Sequence, residues 1–266
     1  MKVINIGRRL NSMLNCSNPK VEFVIDLNYF ITHTLVYAGR HDFSSKKFNN
    51  DIESFQNYAW SKSKVFYDFL AGRPIPGDLN NKNLSTLAKG LQKYLEIIKK
   101  SKEYGKILLQ TQNYLKFCKT QWENNFQRTN KIIKDLTGFK FKNERFIIYV
   151  THPSLRNGVS LGGNKIAFGN TEDWRNYSTV YLWHEILHSK IPFDGYASIG
   201  HAIIDLVADE ELRISLNGGY YPPFIGNPDY SKLKKQILPY WKKYLVSDKK
   251  DILKFYRHCK KNLKIR

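Results

Sequence analysis

Hydrophobic positions recur at helical spacing through the first half of the chain and give way, near residue 139, to short runs of β-branched and aromatic residues. Leu84, Leu87, Leu91, Tyr94 or Leu95, and Ile98 stand three or four apart, and a second run over residues 107–136 carries Tyr114, Leu115, Trp122, Phe126 and Ile133 in the same rhythm. Each run predicts a helix with one buried face. A further helix is predicted over residues 50–70, opened by the capping box of Asn50 and Glu53 and followed by a loop over residues 73–83 that holds Pro74 and Pro76. Residues 21–27, continuing to Tyr37, read as strand. Thr137-Gly138 closes the helical half, whose apolar stripes predict a scaffold or lid rather than a cofactor pocket.

Beyond that point residues 145–150 predict a strand that His152-Pro153 breaks, and residues 162–169, bounded by glycines, predict a second. Two helices follow. The first is capped by Ser178 and stops before Pro192; the second covers residues 198–216 and ends at Gly218-Gly219. The pattern predicts an α+β fold in three stretches. Residues 1–140 form a strand plus helical scaffold, residues 141–230 a core with a small mixed sheet, and residues 231–266 a basic helical tail packed on that core.

Composition narrows the class. The 266 residues are 42% hydrophobic and 14% aromatic, enough for one enzyme-sized core. The formal charge is +20, and residues 231–266 hold thirteen Lys or Arg against two acids. Such a tail attracts polyanions, so weak nucleic-acid contact is one expectation and a solvated lysine-rich face the other. Cys16, Cys118 and Cys259 are too scattered for a disulfide framework or a cysteine zinc ribbon. No window approaches the roughly 20 apolar residues of a membrane span, and residues 1–20 lack the apolar run of a secretory signal. A soluble cytoplasmic protein without a transmembrane segment is expected.

The chemistry is concentrated in His184-Glu185-Ile186-Leu187-His188. Residues four apart share one face of a helix, so two imidazoles can meet one tetrahedral ion, while Glu185 is offset by one residue and can act as a base beside it. Seven His among 266 residues make a chance occurrence of this pattern rare. A catalytic zinc takes three protein ligands and keeps one position open, so a third donor is needed. The second helix offers His201, Asp205 and Asp209, again four apart; Glu210 and Glu211 are weaker candidates, and Glu211 and Arg213 read more simply as surface charges.

His184-Glu185-x-x-His188, followed by Asp205 and Asp209 on the next helix, resembles the zincin metallopeptidases, in particular the gluzincin group. That resemblance covers about residues 145–221 and implies a zincin-like core binding one zinc ion and cleaving peptide or protein substrates. It implies Asp205 as third ligand, Asp209 as the hydrogen-bond partner that fixes the His184 tautomer, and Glu185 as the catalytic base. Asp stands at position 205 where the group has Glu, so the helix must come closer. The placement of His201 after a short loop is similar instead to the SprT-like DNA-associated proteases and makes His201 the alternative third ligand. The zincin resemblance also implies an edge strand that pairs with extended peptide, here Gly163, Asn164 and Ala167, and an oxyanion donor among Tyr220, Tyr221 and His201. A competing expectation is a basic nucleic-acid-associated protein whose zinc site is structural or vestigial.

Overall fold

A computed structural model describes residues 18–25, 96, 98–192, 197–219 and 230–263. The continuation of the first expected strand to Tyr37, the expected helix over residues 50–70, the loop after it, the stripe from Leu84 to Leu95, and Tyr220 and Tyr221 lie outside the described residues. The described elements run β1 (Lys20–Val24), α1 (Lys102–Thr137), β2 (Arg145–Val150), β3 (Asn157–Gly162), β4 (Lys165–Gly169), α2 (Tyr177–His188), α3 (Ala197–Asp205), a π-helical segment (Leu206–Leu212), α4 (Arg213–Asn217), α5 (Ser231–Leu245) and α6 (Ile252–Asn262). The fold is α+β. No helix among the described residues is long and apolar enough to cross a membrane.

Two compact units interleave along the chain: Met1–Glu22, Glu123–Phe146 and Thr179–Arg266 form one, and Phe23–Trp122 and Ile147–Ser178 the other. Helix α1 contributes its first part to the second unit and its last part to the first. Its inward positions, Ile107, Thr111, Tyr114, Cys118, Trp122, Thr129, Ile133 and Thr137, keep the three-four rhythm of one helical face. Three of them are threonines, and each returns its hydroxyl to a carbonyl one turn back, at 2.6–3.0 Å, so no buried donor is stranded.

In the sheet-bearing unit, β4 runs parallel to β2, with Ile148 opposite Ile166 and Val150 opposite Phe168, and antiparallel to β3. The β3–β4 hairpin turns at Gly163-Asn164, where both residues have positive φ (55° and 60°), the type I′ geometry that matches strand twist. Among the described residues the sheet order is β1-β2-β4-β3. This overturns the expected substrate edge. Ala167 faces Tyr149 on one side and Val159 on the other and is fully buried, while Gly163 and Asn164 are the turn itself. With ladders on both flanks, β4 has no free main-chain edge to offer a peptide. The strand at that end of the sheet is β3, which the glycine-bounded run over residues 162–169 conceals.

The other unit is helical. Helix α2 from Thr179 onward buries nearly every residue, with Val180, Leu182, Trp183, Ile186 and Leu187 fully enclosed, the mark of a helix surrounded by protein rather than lying on it. Trp183 stacks near Phe126 and Phe141 and donates its indole N–H to Thr129 Oγ1 at 2.9 Å. Helices α5 and α6 both pack on α3. They bury Ile237, Trp241, Ile252, Phe255 and Tyr256. Gly138, with φ 74°, ends α1 and lies so close to Lys250 that a Cβ there would stand 2.2 Å from its carbonyl oxygen.

Candidate metal centre

His184 and His188 lie one turn apart on α2, and their Nε2 atoms are 3.1 Å apart. His201, from the second turn of α3, closes the triangle: ring centroids are 4.9 Å for His184–His188, 5.0 Å for His184–His201 and 4.8 Å for His188–His201. One nitrogen from each ring lies within 4.8 Å of the others. Nitrogens held about 2.0–2.1 Å from a tetrahedral zinc are roughly 3.3 Å apart, so the His184–His188 pair already has the separation that one ion requires. The donor set fits zinc.

The other nitrogen of His184 is held from behind. Asp209, in the π-helical segment, places Oδ2 3.0 Å from His184 Nδ1. A carboxylate there accepts a hydrogen bond from Nδ1–H and so sets Nε2 as the ring atom that faces the cluster. The Tyr181 ring stacks on His184 at 5.5 Å. Burial lowers the His184 pKa, but the charge and hydrogen bond of Asp209, with Glu185 and Asp205, more than reverse this, to about 9. For His188 burial and the neighbouring His184 and His201 act together and push the pKa down to about 2. His201 falls to about 4, chiefly by burial and by His184. Two of the three rings are therefore neutral donors at physiological pH, which is the form a metal needs.

Asp205 does not join this triangle. Its Oδ1 is 3.7 Å from His184 Nδ1, on the side of the ring away from Nε2, and 3.6 Å from His201 Nε2. Its Oδ2 meets Lys234 Nζ at 3.1 Å. The geometry therefore groups His201, and not the expected third ligand Asp205, with both motif histidines. Asp205 and Asp209 instead form a second group with His184. Burial and the charge of Asp209 raise the Asp205 pKa.

Glu185 is 3% exposed, in the turn between the two histidines. The side chains read as surface charges are not free in solvent: Glu211 accepts the Trp241 indole N–H at 3.1 Å, and Arg213 Nε donates to the Asp209 carbonyl at 2.7 Å. Sequence reasoning missed two residues. Tyr230, at the start of α5, sets its ring 4.8 Å from that of His201, and Lys234 reaches Asp205. The signal for Lys234 was present: it occupies the first position of a stripe continued by Ile237, Trp241 and Tyr244, where an apolar residue is expected.

No protein-family profile, no curated protein and no solved structure matches the chain. The centre must be read from its own geometry. Three imidazoles from two helices, a buried carboxylate in the motif turn, and a carboxylate behind one ligand ring make an arrangement able to hold a divalent ion and move a proton beside it.

Proposed function

We propose that the chain is a zinc-dependent metallohydrolase of zincin type acting on peptide bonds, in which His184, His188 and His201 hold one ion and Glu185 is the general base. The convergence of three imidazoles on one point supports this reading most. A divalent ion held by these three imidazoles would lower the pKa of solvent at the site and polarise a substrate carbonyl. Glu185 then takes the proton of the attacking water on a carboxylate oxygen and returns it to the leaving amine nitrogen. Asp209 keeps the proton of His184 on Nδ1 throughout, so the ring cannot turn or change tautomer. Burial of the carboxylate and of His184 excludes bulk water, which strengthens every charge interaction in the site.

Purified protein should carry zinc in one-to-one ratio and cleave a peptide library in a chelator-sensitive manner. Glu185→Gln should remove that cleavage with zinc retained; wild-type turnover in this variant, or cleavage that survives chelation, sinks the reading. A cytoplasmic setting is part of the proposal and agrees with the buried free thiols of Cys118 and Cys259. The exposed Lys232, Lys235, Lys242, Lys243 and Lys254 favour a second role, contact with nucleic acid through α5 and α6. Its signature is binding that weakens steeply with salt.

A further inference from the structure

Both His201 and Asp205 project from α3, four residues apart, and a carboxylate binds zinc as readily as an imidazole does. Something must choose between them. We propose that Lys234 makes this choice: its ammonium holds Asp205 outside the coordination sphere and leaves the third ligand position to His201. The inference rests on the zinc reading above.

Lys234 is 1% exposed and Asp205 fully buried, and Nζ and Oδ2 meet at 3.1 Å. An ammonium enclosed on the apolar face of α5 is tolerated only where an anion meets it, and neither group has solvent to turn to. The ion pair therefore fixes the carboxylate, whose other oxygen accepts no hydrogen bond and faces Nδ1 of His184 rather than Nε2. One helical turn earlier, the Tyr230 ring lies against His201. The first turn of α5 thus supports the imidazole and restrains the carboxylate at the same time. Without Lys234, Asp205 would lose the contact that fixes it, beside the site that the three imidazoles form.

Cobalt(II) in place of zinc reports the ligand set through its visible absorption. In Lys234→Met the entry of Asp205 should shift and weaken the tetrahedral cobalt bands and tighten cobalt binding by roughly tenfold, the order expected from removing one nearby positive charge. The double variant Lys234→Met with Asp205→Asn should return the spectrum to that of the wild type. His201→Ala alone should lose the metal, and adding Lys234→Met should restore it through Asp205. An unchanged spectrum in Lys234→Met, or no restoration in the His201 background, overturns the proposal.

Should Lys234→Met fail to fold because Asp205 is left without a counter-ion, the uncharged pair of Lys234→Met with Asp205→Asn still decides. Retained cobalt with the wild-type spectrum supports Asp205 as a non-ligand, and lost cobalt overturns it. Failure of the zinc reading itself is distinct, because it appears as wild-type protein that binds neither metal.

Discussion

Each unit buries a cluster of polar side chains, and the two are built to opposite ends. In the sheet-bearing unit Glu172 accepts from Ser178 Oγ at 2.8 Å and from Gln121 Nε2 at 2.7 Å. Ser178 in turn meets Tyr114 and Cys118, and the Tyr114 oxygen accepts the Asn170 amide at 3.1 Å. Donors face acceptors from Gln121 through Glu172 and Ser178 to Tyr114. In the helical unit three imidazoles turn nitrogens toward one another, with two carboxylates behind them. Lone pairs at 3.1 Å repel unless a proton or a cation lies between them. A buried cluster whose donors and acceptors pair internally stabilises a fold; one that turns several imidazole nitrogens toward a single point has the form of a cation site.

The largest test of that contrast is deletion of one ring. His201→Ala should weaken zinc by more than the roughly 10- to 100-fold that loss of a ligand's supporting partner costs, as read by competition with a chromophoric chelator. Near wild-type affinity in this variant would mean that the three rings are a packing feature like the Ser178 cluster. Next in size, Ser178→Ala should cost about 1–3 kcal/mol in denaturant unfolding, because it leaves groups around Glu172 and Tyr114 short of a buried partner, yet leave zinc affinity unchanged. A matching loss of zinc would show that the two clusters are one network.

The parts of this arrangement written in local spacing were legible in the sequence. His184 and His188 share a face because four residues make about one helical turn, and strand 145–150 and the end of the long helix at Thr137 stand where the pattern puts them. The contact that holds Asp205 was not legible, because its partner, Lys234, is 29 positions further along the chain. Ser178 misled for a related reason: α2 begins at Tyr177, and it is the carboxylate of Glu172 that meets the Ser178 amide, at 3.3–3.4 Å. The interior position of β4 did have a local sign, since Gly163-Asn164 between two short runs is a two-residue hairpin turn. The π-helical segment, seven residues long, leaves no repeat in the apolar pattern by which to find it.

The smallest effect probes whether the internally paired cluster is as closed as its hydrogen bonds imply. Burial pushes the Cys118 thiol up to about 12, and Cys259, in the other unit, up to about 12 as well. Only the thiolate is alkylated readily, so at pH 8 each thiol has on the order of one part in ten thousand in the reactive form, and both are shielded from reagent. Iodoacetamide followed by peptide mass mapping should therefore leave Cys118 and Cys259 unmodified in the native protein and label both after denaturation. Rapid native labelling of Cys118 with Cys259 still protected would mean that the Tyr114–Ser178–Glu172 chain opens on its own, and the contrast with the imidazole cluster would then be one of degree.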